Sequence, residues 1–123
     1  MIGYVTLGTN DLERAAAFYD ALLELIGAGR MMETEQFVAW AVAPDKPAIS
    51  VTTPFDGKAA TVGNGVMIAL AVKDAEMVKT IYRKALELGG TDEGPPGPRG
   101  DSGFYAAYFR DLDGNKLNAF CMV

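Results

Sequence analysis

The sequence predicts an α+β fold: two tandem βαβββ modules whose strands form one curved mixed sheet, helices covering one face and the uncovered face curling inward. Three observations carry this expectation. Apolar spacing alternates between the strand period and the helix period in the order strand, helix, strand, strand, strand, and then repeats that order. The residues repeat as well, because a shift of 63 sets Leu7 on Leu70, Asp11 on Asp74, Glu13 on Glu76, Tyr19 on Tyr82, Leu23 on Leu86, Glu24 on Glu87, Leu25 on Leu88 and Gly27 on Gly90. Eight identities in about 24 positions, at equivalent points of a strand-helix unit, mark a duplication. Between the copies, Pro54–Gly65 is turn-rich and without periodicity, so module one covers about 1–53, a connector 54–65, and module two about 66–123.

Each element follows from local pattern. Ile2–Gly8 alternates around Val5 and Leu7 as a strand does. Asn10 stands as an N-cap with Glu13 three positions on, and Leu12, Ala15, Ala16, Tyr19, Leu22, Leu23 and Ile26 recur at helical spacing. Gly27 and Gly29 stop that helix. Arg30–Thr34, Gln36–Ala43 and Ala48–Thr53 read as three strands, the last two joined by the turn Pro44-Asp45-Lys46-Pro47. In the second copy Val66–Val72 is a strand and Ala75–Leu88 a helix ended by Gly89-Gly90. Thr91–Gly103 holds Pro95, Pro96 and Pro98 with four glycines, which leaves room only for a short edge strand near Thr91–Glu93. Phe104–Arg110 and Lys116–Met122 close the chain as two strands about the turn Asp111–Asn115.

Composition narrows the chemistry. The 123 residues suit a single domain, with a net charge of −5 from 11 Lys and Arg against 16 Asp and Glu. That balance gives no basic footprint, so neither nucleic acid nor an anionic membrane is an expected partner. No signal-like start or long apolar run is visible, and a cytoplasmic location is expected. Cys121 is the only cysteine, which excludes an internal disulfide. There is no histidine at all, so no Ser-His-Asp triad, Cys-His dyad or imidazole metal ligand exists.

Two motifs resemble a known group. Tyr4-Val-Thr-Leu-Gly-Thr-Asn-Asp-Leu-Glu-Arg-Ala with Phe18-Tyr19 looks like the opening strand and helix of the vicinal oxygen chelate superfamily, which includes glyoxalase I, bleomycin-resistance and fosfomycin-resistance proteins and extradiol dioxygenases. Phe109-Arg-Asp-Leu-Asp-Gly-Asn-Lys-Leu-Asn118 looks like its closing hairpin, F-x-D-P-D-G-N-x-x-E, with Leu112 in place of the usual Pro. The resemblance implies a glyoxalase-like cup, with one metal ligand from the first and the last strand of each half, commonly His and Glu. Here those positions fall on Tyr4, its repeat mate Met67, Asn118 and, by aligning Asp45–Ser50 on Asp113–Asn118, Ser50. A phenol, a thioether, an amide and a hydroxyl do not make a divalent-metal set, so no metal and no cofactor are expected.

Strand parity sketches the rest of the wall. With Tyr4 face Ile2 and Thr6; with Met67 face Ala69 and Ala71; with Asn118 face Lys116 and Phe120. Pairing the last hairpin about Asp113 sets Tyr108 opposite Asn118, with Arg110 on the same face. The resemblance implies a ligand contact at Tyr108, where fosfomycin thiol transferases use a tyrosine. Phe37 and Trp40 lie on opposite faces, and Trp40 is the candidate for stacking on a planar ligand. Tyr4, Ser50, Met67, Tyr108, Asn118, Trp40, Arg110 and Phe120 are thus the expected ligand-binding residues. The expected function is binding of a small organic molecule in a metal-free cup, by sequestration as in bleomycin-resistance proteins, in a chain that forms a homodimer. The alternative is a lyase, isomerase or transferase of the superfamily, using Tyr and Asn for acid–base or oxyanion chemistry or recruiting a divalent metal.

Overall fold

A computed structural model describes all residues, 1–123, and its secondary structure is βαβββ twice. The first unit, Met1–Val62, holds β1 (Tyr4–Gly8), α1 (Leu12–Glu24), β2 (Gly29–Glu33), β3 (Phe37–Ala41) and β4 (Ala48–Thr52). The second, Gly63–Val123, holds β5 (Ile68–Ala71), α2 (Ala75–Glu87), β6 (Thr91–Pro98), β7 (Phe104–Arg110) and β8 (Lys116–Met122). Instead of one shared sheet there are two four-stranded ladders, ordered β1-β4-β3-β2 and β5-β8-β7-β6. In each, the first strand pairs parallel to the last and the other pairings are antiparallel.

The helices start alike because the duplicated acids cap them. Asp11 accepts the amide of Arg14 at 3.0 Å, and its repeat mate Asp74 accepts that of Met77 at 2.9 Å. The cap is therefore Asp11 and not Asn10. The Asn10 carboxamide instead takes the amide of Ala60 at 2.7 Å and pins the chain after β4. At the second helix end, Gly90 is required by close approach, since a Cβ there would come within 2.6 Å of the Arg110 carbonyl oxygen and 2.8 Å of that of Ala85.

One side of each sheet is packed. Under α1 lie Leu7, Val38, Trp40, Ile49 and Val51, all buried with Tyr19, Leu22 and Leu23 of the helix. Leu117, Ala119, Phe109 and Ala107 are buried with Val78, Ile81 and Ala85 of α2. The largest departure from expectation is β6, an eight-residue strand through Pro95, Pro96 and Pro98. It is tolerated because β6 is an edge strand and its register skips between Asp92 and Gly94 and again between Gly94 and Gly97. Prolines at an unpaired edge leave no ladder donor missing.

Candidate functional site: the open sheet faces

The first unit's open face is concave. A cavity of about 460 Å³ lies over it, with Tyr4 and Thr6 of β1, Phe37 and Ala39 of β3, and Ala48, Ser50 and Thr52 of β4 in its wall. Alternation along each strand puts these residues on one side and Leu7, Val38, Trp40, Ile49 and Val51 on the other. Tyr4 is 71% exposed, whereas Ser50 is 2% exposed and forms the floor. Ser50 Oγ donates to the Val5 carbonyl at 3.1 Å or shares a proton with Thr6 Oγ1 at 2.9 Å, so the floor is polar and its hydroxyls are satisfied. Met31, Met32 and Lys46 complete the rim. Sequence parity did not place both methionines there. The β2 register slips between Arg30 and Met32, and that bulge turns two consecutive side chains toward the cavity.

Trp40 lies on the opposite side from its expected place. It is 1% exposed, packs on Tyr19 with ring centroids 5.6 Å apart, and donates its indole N–H to Asp20. The physical reason is volume, since the α1 side of β3 offers an apolar bed for a large ring and an acceptor for its N–H. Phe37 is the aromatic residue of β3 that lines the cavity.

In the second unit β7 and β8 pair as expected, Tyr108 opposite Asn118 and Ala106 opposite Phe120. Phe120 stacks on Phe104 at 5.3 Å between centroids. Asn118 also faces Ala69 across β5, just as Ser50 faces Thr6 across β1, so Ser50 and Asn118 hold the same place in the two ladders. Asn118 is 1% exposed and its Oδ1 has no hydrogen-bond partner. Met67 falls one residue before β5 and is partly exposed. Arg110 is not a free cation: its Nε donates to Glu93 at 2.5 Å and its Nη1 to the Gly114 carbonyl at 2.9 Å. It ties β7 to the edge strand and the closing turn. That turn is built on Asp111, whose Oδ1 accepts from the amides of Asp113 and Asn115, both at 2.9 Å.

No three His, Cys, Asp or Glu residues come together as a metal site anywhere in the chain. The four positions matched to superfamily ligands carry Tyr4, Ser50, Met67 and Asn118, whose neutral donors do not fit a divalent ion. No helix is long and apolar enough to cross a membrane.

Comparison with known proteins agrees with this architecture. The crystal structure of a glyoxalase/bleomycin resistance protein from Albidiferax ferrireducens T118 is 36% identical with a TM-score of 0.91, covering 100% of this chain and 99% of that one. A hypothetical protein, SA1046 from S. aureus, is 28% identical with a TM-score of 0.75, over 98% of this chain and 92% of its own. The fosfomycin resistance protein FosX from Listeria monocytogenes shares the fold at 18% identity, with a TM-score of 0.74 over 100% of this chain and 93% of its own. Among curated proteins none matches. The sequence profile of the Glyoxalase/Bleomycin resistance protein/Dioxygenase superfamily matches residues 1–119, and the chain belongs to that superfamily.

Proposed function

We propose that this protein binds a small organic molecule on the open faces of its half-sheets, without a resident metal, and acts by sequestering it. The observation that carries this reading is the cavity of about 460 Å³ over the first unit, a volume in the range of small-molecule sites. Its wall is mostly apolar, with methionine and phenylalanine at the rim and paired hydroxyls at the floor. Tyr4 and Lys46 are its only ionisable side chains. In the second unit the proposed contacts are Tyr108, Asn118, Phe120 and Met67. The reading places the protein in the cytoplasm and pairs it with a second copy of itself.

Native mass spectrometry of the protein as purified tests this reading. The expected result is an organic adduct of a few hundred daltons, lost on denaturation, with no chemical change in the molecule on prolonged incubation. Recovery of a transformed molecule, or a bound metal in place of an organic one, overturns it.

A further inference from the structure

The face of the second unit's sheet opposite α2 carries two cations without a carboxylate partner and one buried acceptor without a donor. The guanidinium carbon of Arg99 lies 5.3 Å from the ring centroid of Tyr108, and the Lys116 ammonium lies 5.5 Å from the same centroid. Neither side chain takes part in an ion pair. The acids of the adjoining edge strand are engaged elsewhere, Glu93 by Arg110 and Asp92 by the Tyr82 hydroxyl and the Gly94 amide. In a chain of net charge −5, two cations against one ring with no counter-charge is an arrangement whose repulsion an anion relieves.

Arg99 is also held in place. Its Nη2 donates to the Pro95 carbonyl at 2.7 Å and its Nη1 to that of Gly97 at 2.8 Å. Gly94 leaves it room, because a Cβ there would stand 3.2 Å from both Arg99 Nη2 and Tyr108 Cδ1. The turns of the proline-rich strand thus set one guanidinium over Tyr108 before any ligand arrives, which lowers the ordering cost of binding.

Asn118 adds an unpaired acceptor to the same face. At the equivalent place in the first unit, Ser50 is satisfied by Thr6. Here the cross-strand neighbour is Ala69, whose methyl group offers nothing, and Asn118 Oδ1 stays buried and unpaired. Buried acceptors of this kind are rare and costly, and they mark where a donor belongs. Lys116 lies two residues before Asn118 on the same strand face, and Tyr108 lies directly across from it, so cations and acceptor share one patch.

We infer that this face binds an organic carboxylate that also carries a hydroxyl, of which a 2-hydroxy acid is the simplest form. Arg99 and Lys116 take the carboxylate beside Tyr108, and the hydroxyl donates to Asn118 Oδ1. This deepens the binding function proposed above and takes from it only that a ligand meets this face.

Nuclear magnetic resonance titration of the whole chain tests it, with mandelate, phenylacetate and neutral phenylethanediol as probes. Each is taken to roughly ten millimolar, where a site of millimolar Kd is nearly full. Mandelate is expected to shift the amides of Tyr108, Lys116 and Asn118, and phenylacetate to bind about tenfold more weakly for want of the hydroxyl. Lys116→Met and Arg99→Gln should each weaken mandelate about tenfold. Because Arg99 also braces β6, Lys116→Met is the decisive variant. Asn118→Leu should erase the difference between mandelate and phenylacetate. Equal binding of the two acids by the unaltered protein overturns the hydroxyl contact, and mandelate binding unchanged in Lys116→Met overturns the anion site. Phenylethanediol shifts at Thr6 and Ser50, with mandelate silent at Tyr108, would leave the binding function standing and remove this inference. Silence of all three probes at both faces would remove both.

Discussion

Trp40 and Asp20 are joined across the packed side of the first unit, the indole Nε1–H donating to Asp20 Oδ1 at 2.8 Å. The same carboxylate accepts Nε and Nη2 of Arg30 at 2.9 and 2.8 Å, so one acid of α1 holds both β3 and β2. The Arg30 hydrogen bond is the main reason the Asp20 carboxyl titrates below its ordinary 3.8; burial opposes it, and the Trp40 bond adds to it. A depressed carboxylate contributes stability that is complete above its unfolded value and is lost as pH falls through the folded value.

The first prediction follows from that pair. Trp40 emission should be constant from neutral pH down to about 4 and then change as Asp20 protonates below its unfolded 3.8. In Asp20→Asn the step should vanish. Asp20's side chain is 43% exposed, so the accompanying loss of global stability should be small. A step of the same position and size in Asp20→Asn would show that another carboxylate drives it.

Ligands of the first unit's cavity should not quench Trp40, since the ring lies on the helix side of β3. Moving the reporter should change that. In a Trp40→Phe, Phe37→Trp double variant, any ligand that shifts the Thr6 and Ser50 amides should quench the new indole. Quenching of Trp40 in the unaltered protein, without quenching in the double variant, would reverse the face assignment.

Equivalent positions in the two ladders should respond with opposite sign. Ser50→Ala removes a buried hydroxyl that bonds both the Val5 carbonyl and Thr6 Oγ1, so it should destabilise by about 1 kcal/mol. Asn118→Leu removes a buried orphan acceptor at similar volume, so it should stabilise by about 1 kcal/mol. Urea denaturation reads both as shifts in midpoint at unchanged slope. A destabilised Asn118→Leu would mean that Asn118 is already satisfied.

Metal content is the fourth expectation. After desalting, elemental analysis should find Zn, Mn, Fe and Ni far below one per chain, because Tyr4, Ser50, Met67 and Asn118 supply no anionic or imidazole donor. One metal per chain, lost in Asn118→Ala, would overturn the donor argument.

Self-association is the fifth. Tyr4, Met31, Met32, Met67 and Met122 are apolar side chains left exposed by the fold, and a two-fold pair is the commonest way to cover such surface. Sedimentation at micromolar concentration should give twice the 13.1 kDa chain mass. A species of single-chain mass at the same concentration would exclude the dimer.

What the sequence determined by itself was everything that depends on near neighbours and on the duplication. The apolar periods gave two helices and seven of the eight strands to within a few residues, and the 63-residue repeat gave two modules of one topology. The turn at Asp111–Asn115 fixed the pairing of Tyr108 with Asn118, because a short hairpin leaves the register no freedom. Alternation put Tyr4 and Thr6 on one face of β1, and aligning Asp45–Ser50 on the closing hairpin added Ser50, which lies in the same cavity wall.

Only the tertiary structure decided which side large or charged groups take and which of them stay free. Parity said that Phe37 and Trp40 oppose one another. It was the bed of Tyr19 and the acceptor on Asp20, brought in from another element, that drew Trp40 under the helix. Arg110 and Lys116 stand opposite each other in one hairpin, yet Glu93 of an edge strand neutralises the first and leaves the second unpaired. The long reach of β6 through three prolines depends on its lying at a sheet edge, a property of strand order that no local pattern encodes. Likewise the orphaned Asn118 is a consequence of Ala69 standing across the ladder. Pairing over 49 positions of sequence is decided by the fold, and with it whether a buried amide finds a partner.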